Sequence, residues 1–574
     1  MLRAASRLPL AMVCLLLVAG CGSSLPSATP PAASDPVPSA AASATPSPGS
    51  ACVAATTPPS RDWNERTWYE VFVRSFADSD GDGIGDLRGL TSRLDYLNDG
   101  DPTTTTDLGI GGIWLMPIAE SPSYHGYDVT DYTKVEPDYG TKADLEAFLA
   151  AAHKRGIKVI VDLVLNHTSS EHPWFKDAQV PGSAHDDWYV WSATNPGWLG
   201  PGGGVAWHEA GGRWYYGAFS DTMPDLNLRN PEVTAALEHI ARTWLDDIGV
   251  DGFRLDAAKH LIEDGKDAQT NTPETKAWLA GFKQLVDAAN PDALLVGEVF
   301  DPPTIAGAYV PGSVDLTFNF GLAKGTILAL QNGRAAPLAT GLGETIRAWP
   351  PNQAASFLSN HDQARVMSQL NGDLASAKLA AFTLFTAPGV PFVYYGEEIG
   401  MTGIKPDERI RTPMLWTVDP PAAGFSTGTP WEDLSGDIVG VDVASELRDP
   451  VSLLTTYQDL IRVRSQQVAL RDGATTVVTS DAEPVIGWLR TIAGETVLAV
   501  VNVSDQPVGS YGLTLGEGPL CGPQAATLLG TVGGDAGAAV TAPAVNAGGG
   551  VDAWRPVAEL APRSGYLISL APAP

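Results

Sequence analysis

Four cysteines in 574 residues are too few for a disulfide-dense fold. Basic side chains are also scarce, with 36 Lys and Arg against 66 Asp and Glu, a formal charge of −30. That sign repels phosphate backbones and anionic headgroups, so it argues against nucleic acid as a partner and favours a neutral ligand. Long apolar runs are missing everywhere except at the N-terminus, which argues against a multispanning membrane protein. What is present, 44% hydrophobic and 18% charged residues, suffices for a large core and is not a disordered composition. At about 150 residues per domain the length corresponds to roughly three or four domains.

The N-terminus reads as an export signal. Arg3 and Arg7 precede a mostly apolar stretch over 8–19, too short to cross a bilayer, and Val18-Ala19-Gly20-Cys21 follows. Small residues before a cysteine resemble the lipobox of bacterial lipoproteins. This implies a signal peptide over 1–20, lipid on Cys21, and an anchor on the extracytoplasmic face of a bacterial membrane. An ordinary signal with an incidental cysteine is the other reading. Residues 21–60 form an Ala/Ser/Pro-rich tether: 32 of the 39 residues from 22 to 60 are Ala, Ser, Pro or Thr, and Asp35 carries the one charge. Cys14 leaves with the signal, and the exported pair Cys52 and Cys521 permits one disulfide.

The body, 61–466, alternates apolar runs with capped helical patterns. The runs fall at 68–76, 110–118, 157–165, 250–257, 293–300, 314–320, 354–360 and 390–395. Among the helices, 141–155 opens on a capping box of Thr141 with Asp144 and stops at Gly156. Eight buried strands separated by helices predict an α/β protein with a closed (β/α)8 barrel. A Gly- and Trp-rich insertion over about 168–229 interrupts the repeat after strand three, before a helix at 231–248. A helix at 452–464 closes the barrel, and 467–574 alternates in strand fashion, predicting a C-terminal antiparallel β-sandwich.

Barrel chemistry sits at the C-terminal ends of the strands. Here strand three ends in Asp162-Leu-Val-Leu-Asn166-His167 and strand four in Arg254-Leu-Asp256-Ala-Ala-Lys259-His260. Strand five ends in Gly297-Glu298, and strand seven in Asn360-His361-Asp362. Several costly charges around one mouth are not explained by a structural role. The four segments resemble the signature regions of the α-amylase superfamily of retaining glycoside hydrolases. Gly112-Ile-Trp114-Leu-Met-Pro117, Tyr124-His125-Gly126-Tyr127, Met223-Pro-Asp225-Leu-Asn227 and Tyr395-Gly396-Glu397-Glu398 match in the same order.

The resemblance implies Asp256 as nucleophile, Glu298 as acid/base and Asp362 as the transition-state stabiliser. Retention by two carboxyl groups is the chemistry such a set supports. Arg254, two residues before Asp256 and so on its face of the strand, keeps the nucleophile ionised, while Glu298 needs the opposite environment. His125, Tyr127, His167 and His361 correspond to residues holding the sugar beside the scissile bond, and Lys259 and His260 to contacts with leaving-group sugars.

Two calcium sites are also implied. Asp78-Ser-Asp80-Gly-Asp82-Gly-Ile84-Gly-Asp86 alternates carboxylates with glycines, suited to a hard cation, with Asp78, Asp80, Asp82, Asp86 and the Ile84 carbonyl as ligands. It is not an EF-hand, since Gly89 stands at position twelve; a solvated acidic turn is the plainer reading. The second site matches Asn166, Asp225 and the His260 carbonyl. Six of the 16 tryptophans (Trp174, Trp188, Trp191, Trp198, Trp207 and Trp214) crowd the insertion, as cleft lining or as subdomain core.

Exo-acting relatives place an Asp where Tyr124 stands, and Lys259-His260 resembles endo-acting α-amylases. The acidic loop and Met-Pro-Asp-Leu-Asn resemble the oligo-1,6-glucosidase and neopullulanase side. The expected activity is endo-hydrolysis of α-1,4 bonds in starch and maltodextrins. α-Glucosidase, oligo-1,6-glucosidase or neopullulanase-like action, a transglycosylase, and a non-catalytic maltodextrin-binding lipoprotein are the alternatives. No obligate protein partner is inferred, and lipid is the expected membrane attachment.

Overall fold

The computed structural model of the protein describes residues 61–436 and 439–573. The expected signal peptide, tether and acylated Cys21 lie outside them, as does Cys52. Cys521 sits in a disulfide, but its expected partner Cys52 is not among the described residues.

Eight parallel strands close a barrel in chain order. They are β1 (Trp68–Val71), β2 (Gly112–Leu115), β3 (Lys158–Leu163), β4 (Gly252–Leu255), β5 (Leu294–Gly297), β6 (Leu316–Phe318), β7 (Ala354–Ser356) and β8 (Val390–Tyr394), with β8 returning to pair β1. Nearly every residue in them is buried, because helices cover the outer face and side chains fill the inner one. That two-sided burial is why each strand reads as a mostly apolar run. The strands are shorter than those runs, since hydrophobicity reports burial and the ladder stops earlier. Val164 and Leu165, for example, remain buried beyond the end of β3.

Helix α1 (Lys142–Lys154) has the expected reciprocal cap: Thr141 Oγ1 accepts from the Asp144 N–H, and the Asp144 carboxylate accepts from the Thr141 N–H. Gly156, at φ +76°, turns the chain out of it. The insertion carries a three-stranded antiparallel sheet of Trp191–Ser192, Trp207–Ala210 and Arg213–Tyr216. It is followed by α2 (Pro231–Arg242), whose continuation, Thr243–Ile248, widens into a π turn. Trp207 is buried in a hydrophobic core and the other five tryptophans, partly buried, pack against one, so the insertion uses them at least in part as structure. Further helices include α3 (Phe320–Asn332), α4 (Leu374–Thr386) and α5 (Leu453–Gln466). Among the described residues no helix is long and apolar enough to cross a membrane.

The C-terminal strands are β9 (Ala474–Ser480), β10 (Val485–Ile492), β11 (Glu495–Asn502), β12 (Leu513–Glu517), β13 (Gln524–Val532), β14 (Gly549–Trp554) and β15 (Ser564–Pro572). They pair in the antiparallel order β13-β15-β11-β10-β9-β12-β14. Along β10 and β11 side chains alternate between two cores. Val485, Leu489, Leu498 and Val500 face the domain's own interior, whereas Ile486, Trp488, Val497, Ala499 and Val501 join the barrel's core.

Polar groups complete that joint. The last carbonyls of α4 lack helical partners, and Trp488 Nε1 donates to Thr386 O at 2.9 Å while Arg490 Nη1 donates to Ala387 O at 2.6 Å. Arg464 of α5 caps Phe385 O in the same way at 3.0 Å.

Candidate active site

Asp256, Glu298 and Asp362 follow the C-terminal ends of β4, β5 and β7, while Glu70, Asp162 and Arg254 lie on β1, β3 and β4 themselves. Arg254, on β4, is 1% exposed and centres the cluster. Its Nη1 donates to Asp256 at 2.7 Å and to Asp162 at 2.8 Å, and its Nη2 donates to Glu298 at 2.8 Å. One guanidinium therefore bridges the candidate nucleophile and the candidate acid. This corrects the expectation that Arg254 serves Asp256 while Glu298 sits in an opposite environment.

The two carboxyls differ in their other neighbours. Burial pushes both up and Arg254 pulls both down. The Asp362 charge pushes both up further; Asp256 is also drawn down by His361, and Glu298 is also pushed up by the Asp256 charge. Both carboxyls are raised overall, so the pair holds a proton more readily than free carboxylates do. Ala257, directly after Asp256, adopts φ +49°, a left-handed conformation uncommon outside glycine. Its N–H reaches Glu298 at 3.2 Å.

Asp362 is 42% exposed at its side chain, open to a ligand. Burial of its surroundings opposes ionisation, but His361 and the Arg411 guanidinium, which donates at 2.9 Å, hold the carboxyl far below its usual range. His361 itself would be pushed down by burial. The Asp362 and Glu70 carboxylates overcome that and raise it to about 10. Its Nδ1 meets Glu70 at 2.5 Å and its Nε2 meets the Tyr127 hydroxyl at 2.7 Å.

The remaining expected residues surround this cluster. Tyr127 stacks on His361 and donates to Asp162 at 3.0 Å. His125 Nδ1 accepts from the Tyr127 N–H at 3.1 Å. His167, lowered to about 4 by burial, meets the Tyr127 carbonyl at 3.2 Å. His260 is lowered to about 3, again mainly by burial. Lys259 is held by Phe300 O at 2.7 Å and by Asp301 at 2.9 Å.

Three participants, Glu70, Arg411 and Phe219, were not singled out from sequence, and Asp162 stood there only as the start of the segment ending strand three. Glu70 and Asp162 carried a signal, since each is a carboxylate inside an otherwise apolar barrel strand. Arg411 and Phe219 lie in loops and carried none. Phe219, 47% exposed, packs its ring 5.5 Å from His167 and 5.1 Å from His260.

In the acidic loop, carboxylate oxygens of Asp78, Asp80 and Asp86 lie within 4.8 Å of one another, an all-oxygen set that fits a hard cation. Asp82 is not in that group; its Oδ1 accepts from the Ile84 N–H at 2.8 Å. At the second position, Asn166 Nδ2 donates to Asp225 at 3.0 Å, and Asn166 Oδ1 is buried without a hydrogen bond. Asp225 is buried with only amide donors, and burial raises it well above its usual range. An unsatisfied amide oxygen beside a buried carboxyl also fits a cation.

Comparison with known proteins agrees with this geometry. The family model of the α-amylase catalytic domain matches residues 70–473. Alpha-amylase 3 of Dictyoglomus thermophilum is 39% identical over 445 residues, covering 76% of this chain and 84% of its own. An oligo-1,6-glucosidase of Parageobacillus thermoglucosidasius is 31% identical, covering 77% and 91%. The crystal structure of the α-amylase from H. orenii superposes with a TM-score of 0.73 at 38% identity, covering 88% of this chain and 99% of that one. The chain belongs to the α-amylase family of glycoside hydrolases.

Proposed function

We propose that the protein is a retaining endo-hydrolase of α-1,4-glucosidic bonds in starch and maltodextrins, lipid-anchored outside the cell through Cys21. The observation that carries the chemistry is the bridging of Asp256 and Glu298 by Arg254, with Asp362 open beside them. Asp256 attacks the anomeric carbon while Glu298 gives its proton to the departing glycosidic oxygen, leaving a glycosyl ester on Asp256. Glu298, now ionised, takes a proton from water. That water attacks the same carbon and releases Asp256, so the configuration is retained. Asp362, fixed by His361 and Arg411, binds ring hydroxyls and offsets positive charge in the transition state.

The endo preference rests on Tyr124. Its ring stacks on Trp431 at 5.3 Å, placing an aromatic face where exo-acting relatives carry an Asp. Calcium would be held by Asp78, Asp80 and Asp86, and at the second position by Asn166 and Asp225. There it would balance charge and brace loops. Chromatography of early products from soluble starch, maltotriose and pullulan tests the specificity. A ladder of maltooligosaccharides from starch is expected; glucose as the sole early product would instead support the exo reading, and products longer than the substrate a transglycosylase.

A further inference from the structure

A cavity of about 860 Å³ opens where the barrel meets the C-terminal domain, walled by α4 and α5 on one side and by β13 and β15 on the other. It shares no lining residue with the candidate active site. The sequence of β13 keeps the space open. Leu528 and Gly530 oppose the adjacent residues Ile568 and Leu567 of β15, so Leu529 is the extra residue of a bulge on this edge strand. A Cβ on Gly530 would meet no atom within 4 Å, and Gly533 and Gly534 continue the bare stretch.

The lining is mostly aliphatic, with Leu374, Val451, Val463, Leu529, Val532 and Leu567 contributing. Leu374 and Val451, 44% and 70% exposed, leave the apolar surface open to solvent. The one aromatic residue of the lining, Phe382, is buried and presents no free ring face, which argues against a sugar. The volume lies within the roughly 300–1,000 Å³ of small-molecule sites.

Charge here runs against that of the whole chain. The protein carries −30, yet the lining sets two cations, Lys378 and Arg462, against one carboxylate, Asp459. Lys378 Nζ donates to the Val451 carbonyl, and Arg462 Nη1 lies 3.4 Å from Asp459. An ammonium has three donors and a guanidinium five, so both retain donors beyond these bonds. An aliphatic cavity with a net positive rim complements a hydrocarbon chain that ends in a carboxylate.

We propose that this cavity binds a long-chain fatty acid, with its alkyl chain between α4, α5 and β13 and its carboxylate at Lys378 and Arg462. The site is separate from the hydrolytic chemistry and does not rest on it.

Isothermal titration of the protein with laurate, below its critical micelle concentration, tests the proposal. One laurate should bind per chain and raise the melting temperature, as a ligand of the native state does. Dodecyltrimethylammonium, the same chain with the opposite head charge, should bind about tenfold more weakly. Gly530→Phe puts a ring into the open space at a position that is not left-handed. It should cost laurate about tenfold in affinity while the ligand-free protein keeps its circular dichroism spectrum. Thr456→Trp, entering from α5, should do the same, so the result does not hang on one variant. The double variant Lys378→Gln, Arg462→Gln should close the gap between the two head groups. Absence of saturable laurate binding, or binding that both filled variants keep, would overturn the site. Equal affinity of the wild-type protein for the two heads would overturn the anionic ligand, and a gap that survives the double variant would overturn the placement of its carboxylate.

Discussion

Glu70 Oε1 lies 2.5 Å from Nδ1 of His361, joining β1 to the loop after β7 beneath the candidate active site. Both side chains are almost fully buried, and the pair anchors the histidine that faces Asp362.

Stability should therefore depend on pH through this contact. His361 is raised from 6.5 to about 10 in the folded protein. Its protonated form stabilises fully below pH ~6.5, and the contribution is lost as the pH rises through ~10. Glu70→Gln removes one raising charge, so the contribution should be smaller and its loss complete at lower pH. Melting temperatures of both proteins from pH 6 to 10.5 measure this; parallel curves would refute it.

Asp256→Asn, Glu298→Gln and Asp362→Asn should each reduce kcat by about 10²-fold or more while leaving the fold intact by circular dichroism. Because burial raises Glu298, its proton should persist to higher pH than in a free glutamic acid. The alkaline limb of the kcat/KM profile should accordingly lie above pH 4.5. Near-normal turnover by Asp256→Asn would sink the mechanism.

New reducing ends should appear first as the α anomer. Retention requires carboxyl groups about 5–5.5 Å apart, within reach of two oxygens sharing one guanidinium. NMR during the first minutes of digestion reads the anomer directly, and an initial β signal would exclude double displacement.

Chelation should lower the melting temperature. An ion bound only by the native state stabilises by about 2.7 kcal/mol when free calcium is a hundredfold above its dissociation constant. Asp80→Ala should weaken the response more than Asp82→Ala, since Asp80 belongs to the converging group and Asp82 does not. If metal analysis confirms removal and the protein melts unchanged, the acidic loop is a solvated turn.

Much of the candidate site was legible before the fold. Asp256, Glu298 and Asp362 end apolar runs, and a charge in that position is costly enough to stand out. Glu70 and Asp162 were harder to identify because one carboxylate in a strand does not name its partner, and His361 is 291 positions from Glu70. The insertion's tryptophans illustrate the converse ambiguity: an aromatic residue suits a core as well as a sugar, and here Trp207 is buried while the other five, partly buried, pack against the cores.

By itself the sequence determined the eight buried strands, the cap of α1, the insertion and the family, because each rests on local pattern or on the order of short motifs. Only the tertiary structure decided which groups share a proton or a charge. Arg254 looked like the partner of Asp256 from its spacing along β4, yet barrel closure brings β5 alongside and sets Glu298 against the same guanidinium. Such pairing depends on angstrom-scale distances between distant segments, and the energy of a buried charge depends on every neighbour that folding brings to it.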